Sequence, residues 1–165
     1  FVGIKYGHDG DSAAMSIAVK TGDGRIFVEA IDCRPQRAGN VWILDFLEKA
    51  DVDSVVVDGA SGQELLASDM KRRKLKAPKL PTVKEIIMSN SVFSQAVAMK
   101  TLCHMGQPSV VQIVSNCEKR AIGSNGGYGF KSILDGAKVE LMDSMILAHW
   151  LCGSKKERKK QKISY

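Results

Sequence analysis

The sequence predicts an α/β domain whose central mixed sheet is flanked by helices, and three features lead to that prediction. Strand-like segments separated by turn-forming residues open the chain, which is typical of an antiparallel meander. A β-branched run over residues 55–57 follows a helical segment, as buried parallel strands do. Residues 138–152 are apolar on nearly every side of a helix, which indicates a helix inside the core. At 165 residues, the chain has room for one such domain.

The first part of the chain is predicted to form the meander and the strand that extends its sheet. The expected strands are residues 1–6, 13–20, 25–31 and 53–58. A polar turn over residues 7–12 and a hairpin turn over residues 21–24 join the first three strands. The fourth strand lies beyond a helix, so it is free to pair in parallel with another strand.

Helices are predicted wherever apolar residues recur at helical spacing. The expected helices are residues 41–50, 61–76, 84–105 and 138–152, with a helical turn at 116–122. Asn40 is the expected N-cap of the first helix, and Ser61 with Glu64 has capping-box spacing for the second. Short strands are expected at residues 82–83, 110–114 and 130–134. Residues 124–129 are glycine-rich but lack the Gly-Lys-Ser/Thr of a phosphate-binding loop, so we interpret them as a hairpin tip.

The composition is that of a globular protein with a basic surplus. Hydrophobic residues make up 44% of the chain, charged residues 25%, and the net charge is +6. No apolar run has the length of a membrane span, and no signal peptide is visible. The cysteines form no C-x-x-C pair, so we expect no structural zinc site and a reducing compartment.

Two acidic residues occupy positions where chemistry is expected. Asp58 ends the buried strand, and ligands of open α/β sheets bind beyond the carboxyl ends of strands. Alternatively, Asp58 only braces the turn that follows. Asp143 lies within the apolar helix, where an unpaired charge is costly. It is either a metal ligand or a residue that interacts with the helix N-terminus.

These acids predict a metal site together with the turn at residues 7–12. Asp9 and Asp11 lie in that turn, near the sheet that carries Asp58. Carboxylates from separate elements repel each other unless cations lie between them, and oxygen ligands suit Mg²⁺ or Mn²⁺. Two such ions about 3.5–4 Å apart hydrolyse phosphodiesters in known nucleases. The predicted metal ligands are Asp9, Asp11, Asp58 and Asp143, and the predicted catalytic residues are Asp11, Asp58 and Asp143.

Two basic clusters predict a polyanionic partner. One cluster begins at Lys71, and the other spans residues 155–162 of the C-terminal tail. Solvated helix ends and loose tails commonly look like this, but two clusters on one small domain favour nucleic acid. The predicted nucleic-acid-binding residues are Lys5, Lys71, Arg72, Arg73, Lys74 and Lys131.

The order of the elements and three motifs resemble the ribonuclease H-like fold. More narrowly, they resemble the C-terminal nuclease domain of tailed-phage terminase large subunits. The motifs are residues 2–14, residues 55–59 with Asp58, and residues 136–150 with Asp143. The resemblance implies a nuclease domain over residues 1–153, a basic tail over residues 154–165, and a Mg²⁺- or Mn²⁺-dependent endonuclease that cuts concatemeric double-stranded DNA.

The resemblance also implies partners and a location. The chain opens directly on a core strand, so we expect an excised domain that an ATPase motor normally precedes. The terminase small subunit and the portal are the further implied partners, with no membrane involved. The implied location is the cytoplasm of the bacterial host.

One position departs from the family pattern. The family places its first acid on the first strand, where this chain has Lys5. In one hypothesis, which we favour, Asp11 or Asp9 supplies the missing oxygen. In the other, the Lys5 ammonium takes a metal position, pairs with Asp58 and leaves an impaired or DNA-binding-only domain. Lysine also suits contact with the scissile phosphate.

Other function classes remain as alternatives. An actin-like phosphotransferase or ATPase would use residues 9–12 and 58–62 as phosphate loops, but such proteins need two related lobes. A non-catalytic nucleic-acid module would rely on the basic tail alone. A junction resolvase or transposase core would share the ribonuclease H-like fold.

Overall fold

A computed structural model describes residues 1–124 and 126–155 as seven strands, five α-helices and a short 3₁₀ helix (Gln36–Ala38). The strands are β1 (Val2–Tyr6), β2 (Ser12–Lys20), β3 (Ile26–Pro35), β4 (Val55–Asp58), β5 (Leu102–Cys103), β6 (Cys117–Ile122) and β7 (Gly127–Ser132). The helices are α1 (Val41–Lys49), α2 (Gln63–Arg72), α3 (Val83–Ala98), α4 (Pro108–Ser115) and α5 (Glu140–Ser154). Among the described residues, no helix has the length and apolar character needed to cross a membrane.

Five strands form the central sheet in the order β4-β1-β2-β3-β5. The first three strands pair antiparallel, while β4 pairs in parallel with β1, and β5 with β3. The predicted mixed sheet with a three-strand meander is therefore confirmed. Strands β6 and β7 form a separate two-stranded antiparallel ribbon. Residues 127–129 of the glycine-rich segment, predicted to be a hairpin tip, belong to β7.

The sheet has an apolar core on each face. Helices α1 and α2 cover one face, where Ile4 and Val57 pack with Leu47 and Met70. Helices α3, α4 and α5 cover the other, where Met145 packs with residues of β2 and β3. Because side chains alternate along a strand, the residues between the apolar positions of β1 and β4 face α5. These residues are Gly3, Lys5, Val56 and Asp58.

Helix α5 lies directly on the backbone of β1. A Cβ atom added at Gly3 would lie 2.2 Å from the Ser144 carbonyl oxygen and 2.6 Å from the Ala148 nitrogen. Only glycine permits an approach this close. A hydrogen bond of 2.6 Å between the hydroxyls of Ser16 and Ser144 joins the same helix to β2.

The structure corrects three secondary-structure predictions between residues 82 and 122. The expected strand at residues 82–83 is a helix start, at which Thr82 and Glu85 form a capping box. The expected strand at 110–114 is part of α4, which begins at Pro108. The expected helical turn at 116–122 is mostly β6. Short apolar runs do not distinguish a strand from a helix by their periodicity, and proline is favourable in a first helical turn.

One helix boundary and two caps also differ from expectation. The helix expected over residues 84–105 ends at Ala98, because Lys100 adopts a φ of 57° and the chain then pairs with β3. The expected Ser61 cap is wrong: α2 has Gly62 at its N-cap, and the Ser61 hydroxyl donates to the Gly7 carbonyl instead. Asn40 does precede α1, but its side chain caps no helix amide.

We expect Gly3→Ala to destabilise the protein by at least about 3 kcal/mol, because its methyl group would overlap the backbone of α5. Urea unfolding followed by circular dichroism measures this change. Gly22→Ala is the matched control, since a Cβ at Gly22 meets no atom within 4 Å. Equal unfolding midpoints for the two variants would contradict the close packing of α5 on β1.

Candidate functional site

Lys5 and Asp58 form an ion pair across adjacent parallel strands. The register of β1 and β4 places the two residues side by side, and the Lys5 ammonium donates a hydrogen bond to Asp58 Oδ2. Their side chains are 19% and 14% exposed. The pairing of Lys5 with Asp58, which one of the two sequence hypotheses required, is therefore present. Asp58 thus has a charged partner and does more than stabilise the turn that follows it.

Asp143 enters the same cleft from α5. Lys5, Asp58 and Asp143 line it together with Arg120 of β6. The space left between the lining side chains is about 20 Å³, enough for about one water molecule or one ion. The cleft lies at the carboxyl end of β4, where the sequence predicted a site.

The surroundings of Asp143 favour its protonated form. Burial raises the pKa of the Asp143 carboxyl from its ordinary value of 3.8 to about 6. The cations of Lys5 and Arg120 oppose this rise, while the carboxylates of Glu140 and Asp58 add to it. A divalent cation beside Asp143 would therefore have to displace a proton at mildly acidic pH.

Asp9 and Asp11 do not join Asp58 and Asp143. Both are exposed in the turn between β1 and β2, and neither lines the cleft. The described part of the chain holds no group of three or more histidine, cysteine, aspartate or glutamate side chains placed to hold a metal ion. The structure thus does not gather the four predicted ligands, because the turn carries two of them away from the sheet surface.

Of the four predicted ligands, Asp58 and Asp143 line the cleft, so these two could supply carboxylate ligands to a metal ion there. Magnesium often binds through one or two carboxylates and completes its shell with water and substrate phosphate. Asp58 and Asp143 meet this requirement if Asp58 shares its carboxylate between the ion and Lys5.

Glu140 is an acid near the site that the sequence reasoning missed. It lies one turn before Asp143 on α5 and acts on the Asp143 carboxyl electrostatically. Its Oε1 would lie 2.8 Å from a Cβ at Gly7, so its carboxylate reaches the end of β1. Its Oε2 is buried without a hydrogen-bond partner in the described part of the protein. The sequence did contain a signal for it, since residues three apart lie on the same face of a helix and Glu140 precedes Asp143 by three.

The basic cluster on α2 lies away from the cleft. This helix packs on the opposite face of the sheet through Leu66 and Met70. Arg72 pairs with Asp69, and Arg73 with Asp45 and Glu48. Lys71, Arg72, Arg73 and Lys74 therefore do not surround Asp58, although their predicted contact with nucleic acid elsewhere stays a prediction.

The other predicted cations have different positions. Lys5 lies in the cleft, while Lys131 of β7 pairs with Glu118 across the ribbon at 2.9 Å. In the tail, Lys155 lies 3.4 Å from a carboxylate oxygen of Asp53. The rest of the predicted basic tail, residues 156–165, lies outside the described residues.

Comparison of the chain with protein-family models, with curated proteins and with solved structures gives no match. The geometry of the cleft and the sequence motifs are therefore the grounds for assigning a function.

We expect Asp143→Asn to gain stability relative to the wild type as the pH rises from about 4 to about 7, measured in the presence of EDTA. The folded protein retains the Asp143 proton up to a pKa of about 6, whereas an ordinary carboxyl loses it near 3.8. The wild type thus loses about 1–3 kcal/mol of stability across this window, and the asparagine variant does not. Urea unfolding at several pH values measures the difference.

Asp51→Asn, which alters an exposed acid outside the cleft, is the control for general effects of charge. Its pH profile shows how much of any change arises from the loss of a surface charge alone. If the difference between Asp143→Asn and the wild type changes no more than this, Asp143 does not have a raised pKa.

Proposed function

We propose that this chain is the nuclease domain of a phage DNA-packaging terminase, with a ribonuclease H-like fold. The observation that carries the proposal is the meeting of Asp58 and Asp143 in one cleft with Lys5 and Arg120. Two carboxylates and two cations at the carboxyl end of a parallel strand provide for both a metal ion and a phosphate. The mixed sheet and its late buried helix agree with the order of elements in that fold.

In this proposal each cleft residue has a distinct task. Asp58 and Asp143 would hold one Mg²⁺ or Mn²⁺, which would supply Lewis-acid activation of water and of the phosphodiester. Lys5 fixes the orientation of Asp58 through their ion pair. Its remaining N–H groups are donors for a non-bridging phosphate oxygen.

The biological setting follows from the resemblance of the motifs. The proposed substrate is concatemeric double-stranded DNA in the cytoplasm of the bacterial host. An ATPase domain of the same polypeptide, the terminase small subunit and the portal are the proposed partners. A junction resolvase or transposase core would share the cleft and differ in its preferred DNA.

A second candidate is a DNA-binding domain that does not cut. The Lys5–Asp58 ion pair favours it, because the ammonium neutralises one of the two carboxylates that would bind the metal ion. The two candidates agree on the substrate and differ on whether a metal ion enters the cleft.

We expect Asp58→Asn and Asp143→Asn each to lower the rate of plasmid nicking in Mn²⁺ by about 100-fold or more, since each removes a charged metal ligand. Asp11→Asn should cut like the wild type, because Asp11 is exposed outside the cleft. Asp51→Asn is the matched control for loss of a surface charge. The measurement is the conversion of supercoiled to nicked and linear plasmid.

Equal nicking by the wild type, Asp58→Asn and Asp143→Asn would reject the proposed active site. DNA binding by the wild type without any cleavage in Mg²⁺ or Mn²⁺ would select the non-cutting domain. Loss of cleavage in Asp11→Asn alone would mean that the metal site lies in the turn between β1 and β2.

A further inference from the structure

The ribbon formed by β6 and β7 is fixed at the edge of the cleft by α3. A Cβ at Gly127 would lie 2.4 Å from Ile87 of α3, so the ribbon backbone lies directly on that helix. The Tyr128 hydroxyl donates to the Ser94 hydroxyl at 3.0 Å. A ribbon held in this way keeps its side chains at a defined distance from the cleft, and Arg120 and Phe130 are among the cleft-lining residues.

Arg120 is oriented on this ribbon without an acidic partner. It lies opposite Gly129 in the β6–β7 register, and its Nε donates to the Phe130 carbonyl at 3.1 Å. That hydrogen bond holds the guanidinium through one edge and leaves its terminal nitrogens as further donors. Within residues 1–124 and 126–155, no carboxylate lies within ion-pair distance of it, and the residue is exposed.

The neighbouring cations on the ribbon are already engaged. The Lys119 ammonium lies 4.1 Å from the centre of the Tyr128 ring, and Lys131 pairs with Glu118. In the cleft itself, Lys5 is bonded to Asp58. Arg120 therefore differs from these cations: its guanidinium is oriented, and no described carboxylate lies close enough to form an ion pair with it, although Asp143 lines the same cleft.

We infer that Arg120 is a second phosphate-binding residue, at the rim of this cleft, and that it contacts the DNA backbone with its terminal guanidinium nitrogens. Guanidinium groups match phosphate oxygens with two parallel hydrogen bonds and carry a permanent charge. A phosphate held by Arg120 lies beside Asp58 and Asp143 without depending on them for its binding. This inference deepens the proposed function, since it takes nucleic acid as the substrate.

The test measures DNA binding in EDTA, so that neither metal binding nor cleavage contributes to the result. Fluorescence anisotropy with a labelled duplex of about 20 base pairs, repeated over a range of NaCl concentrations, gives the affinity and its salt dependence. The variants are Arg120→Gln, which removes the charge at similar length, and Arg120→Lys, which retains it. Arg25→Gln is the control: that arginine pairs with Asp23 in the turn between β2 and β3.

We expect Arg120→Gln to bind about 3- to 10-fold more weakly and to reduce the slope of log affinity against log salt by about one. Arg120→Lys should keep the wild-type slope, because one phosphate is still neutralised. Arg25→Gln should match the wild type, because the turn lies at the far end of the sheet from the cleft.

Two results would overturn the inference. One is an unchanged slope and affinity in Arg120→Gln. The other is an equal loss in Arg120→Gln and Arg120→Lys, which would mean that Arg120 only supports the ribbon through Phe130. Since the assay contains no metal ion, a wild-type protein that fails to cut plasmid would defeat the proposed nuclease while leaving this result intact.

Discussion

The contact between α5 and the backbone of β1 positions the acids of the cleft. Gly3 has no side chain, so the helix lies against the strand itself. The buried hydroxyl pair of Ser16 and Ser144 satisfies two polar groups at the same level. Because α5 is fixed there, Asp143 lies one residue before the contact point and projects beside Lys5. The close approach of α5 to β1 thereby brings Asp143 near Asp58, although the two acids are remote in sequence.

This placement creates an electrostatic problem that Lys5 and Arg120 relieve. Two carboxylates brought together under a layer of protein would each lose hydration without gaining a partner. The ammonium of Lys5 compensates Asp58, and both cations lower the cost of ionising Asp143. The position that a metal ion takes between acids is thus partly filled by protein cations.

The sequence predicted the central elements well because their patterns are long and unambiguous. The meander, β4 and α5 have regular apolar positions, and Asp58 and Asp143 stood out as acids in apolar surroundings. The region around α4 and β6 was predicted wrongly, since Val110 begins a short apolar run and β6 is largely exposed. The role of Arg120 was missed as well. Its place in the cleft depends on how the ribbon packs on α3, which no local pattern in the sequence reveals.

The glycines around Asp58 also distinguish between the function classes. In an actin-like ATPase, the turns at residues 9–12 and 58–62 would both hold nucleotide phosphates. Here a Cβ at Gly62 would lie 2.4 Å from the Tyr6 ring, and a Cβ at Gly59 would lie 2.5 Å from the Tyr6 carbonyl oxygen. The Ser61 hydroxyl donates to the Gly7 carbonyl, so the two turns bind each other. Because these glycines serve packing against β1, and because the cleft beside Asp58 has room for about one water molecule, the two turns do not form an enclosed nucleotide pocket.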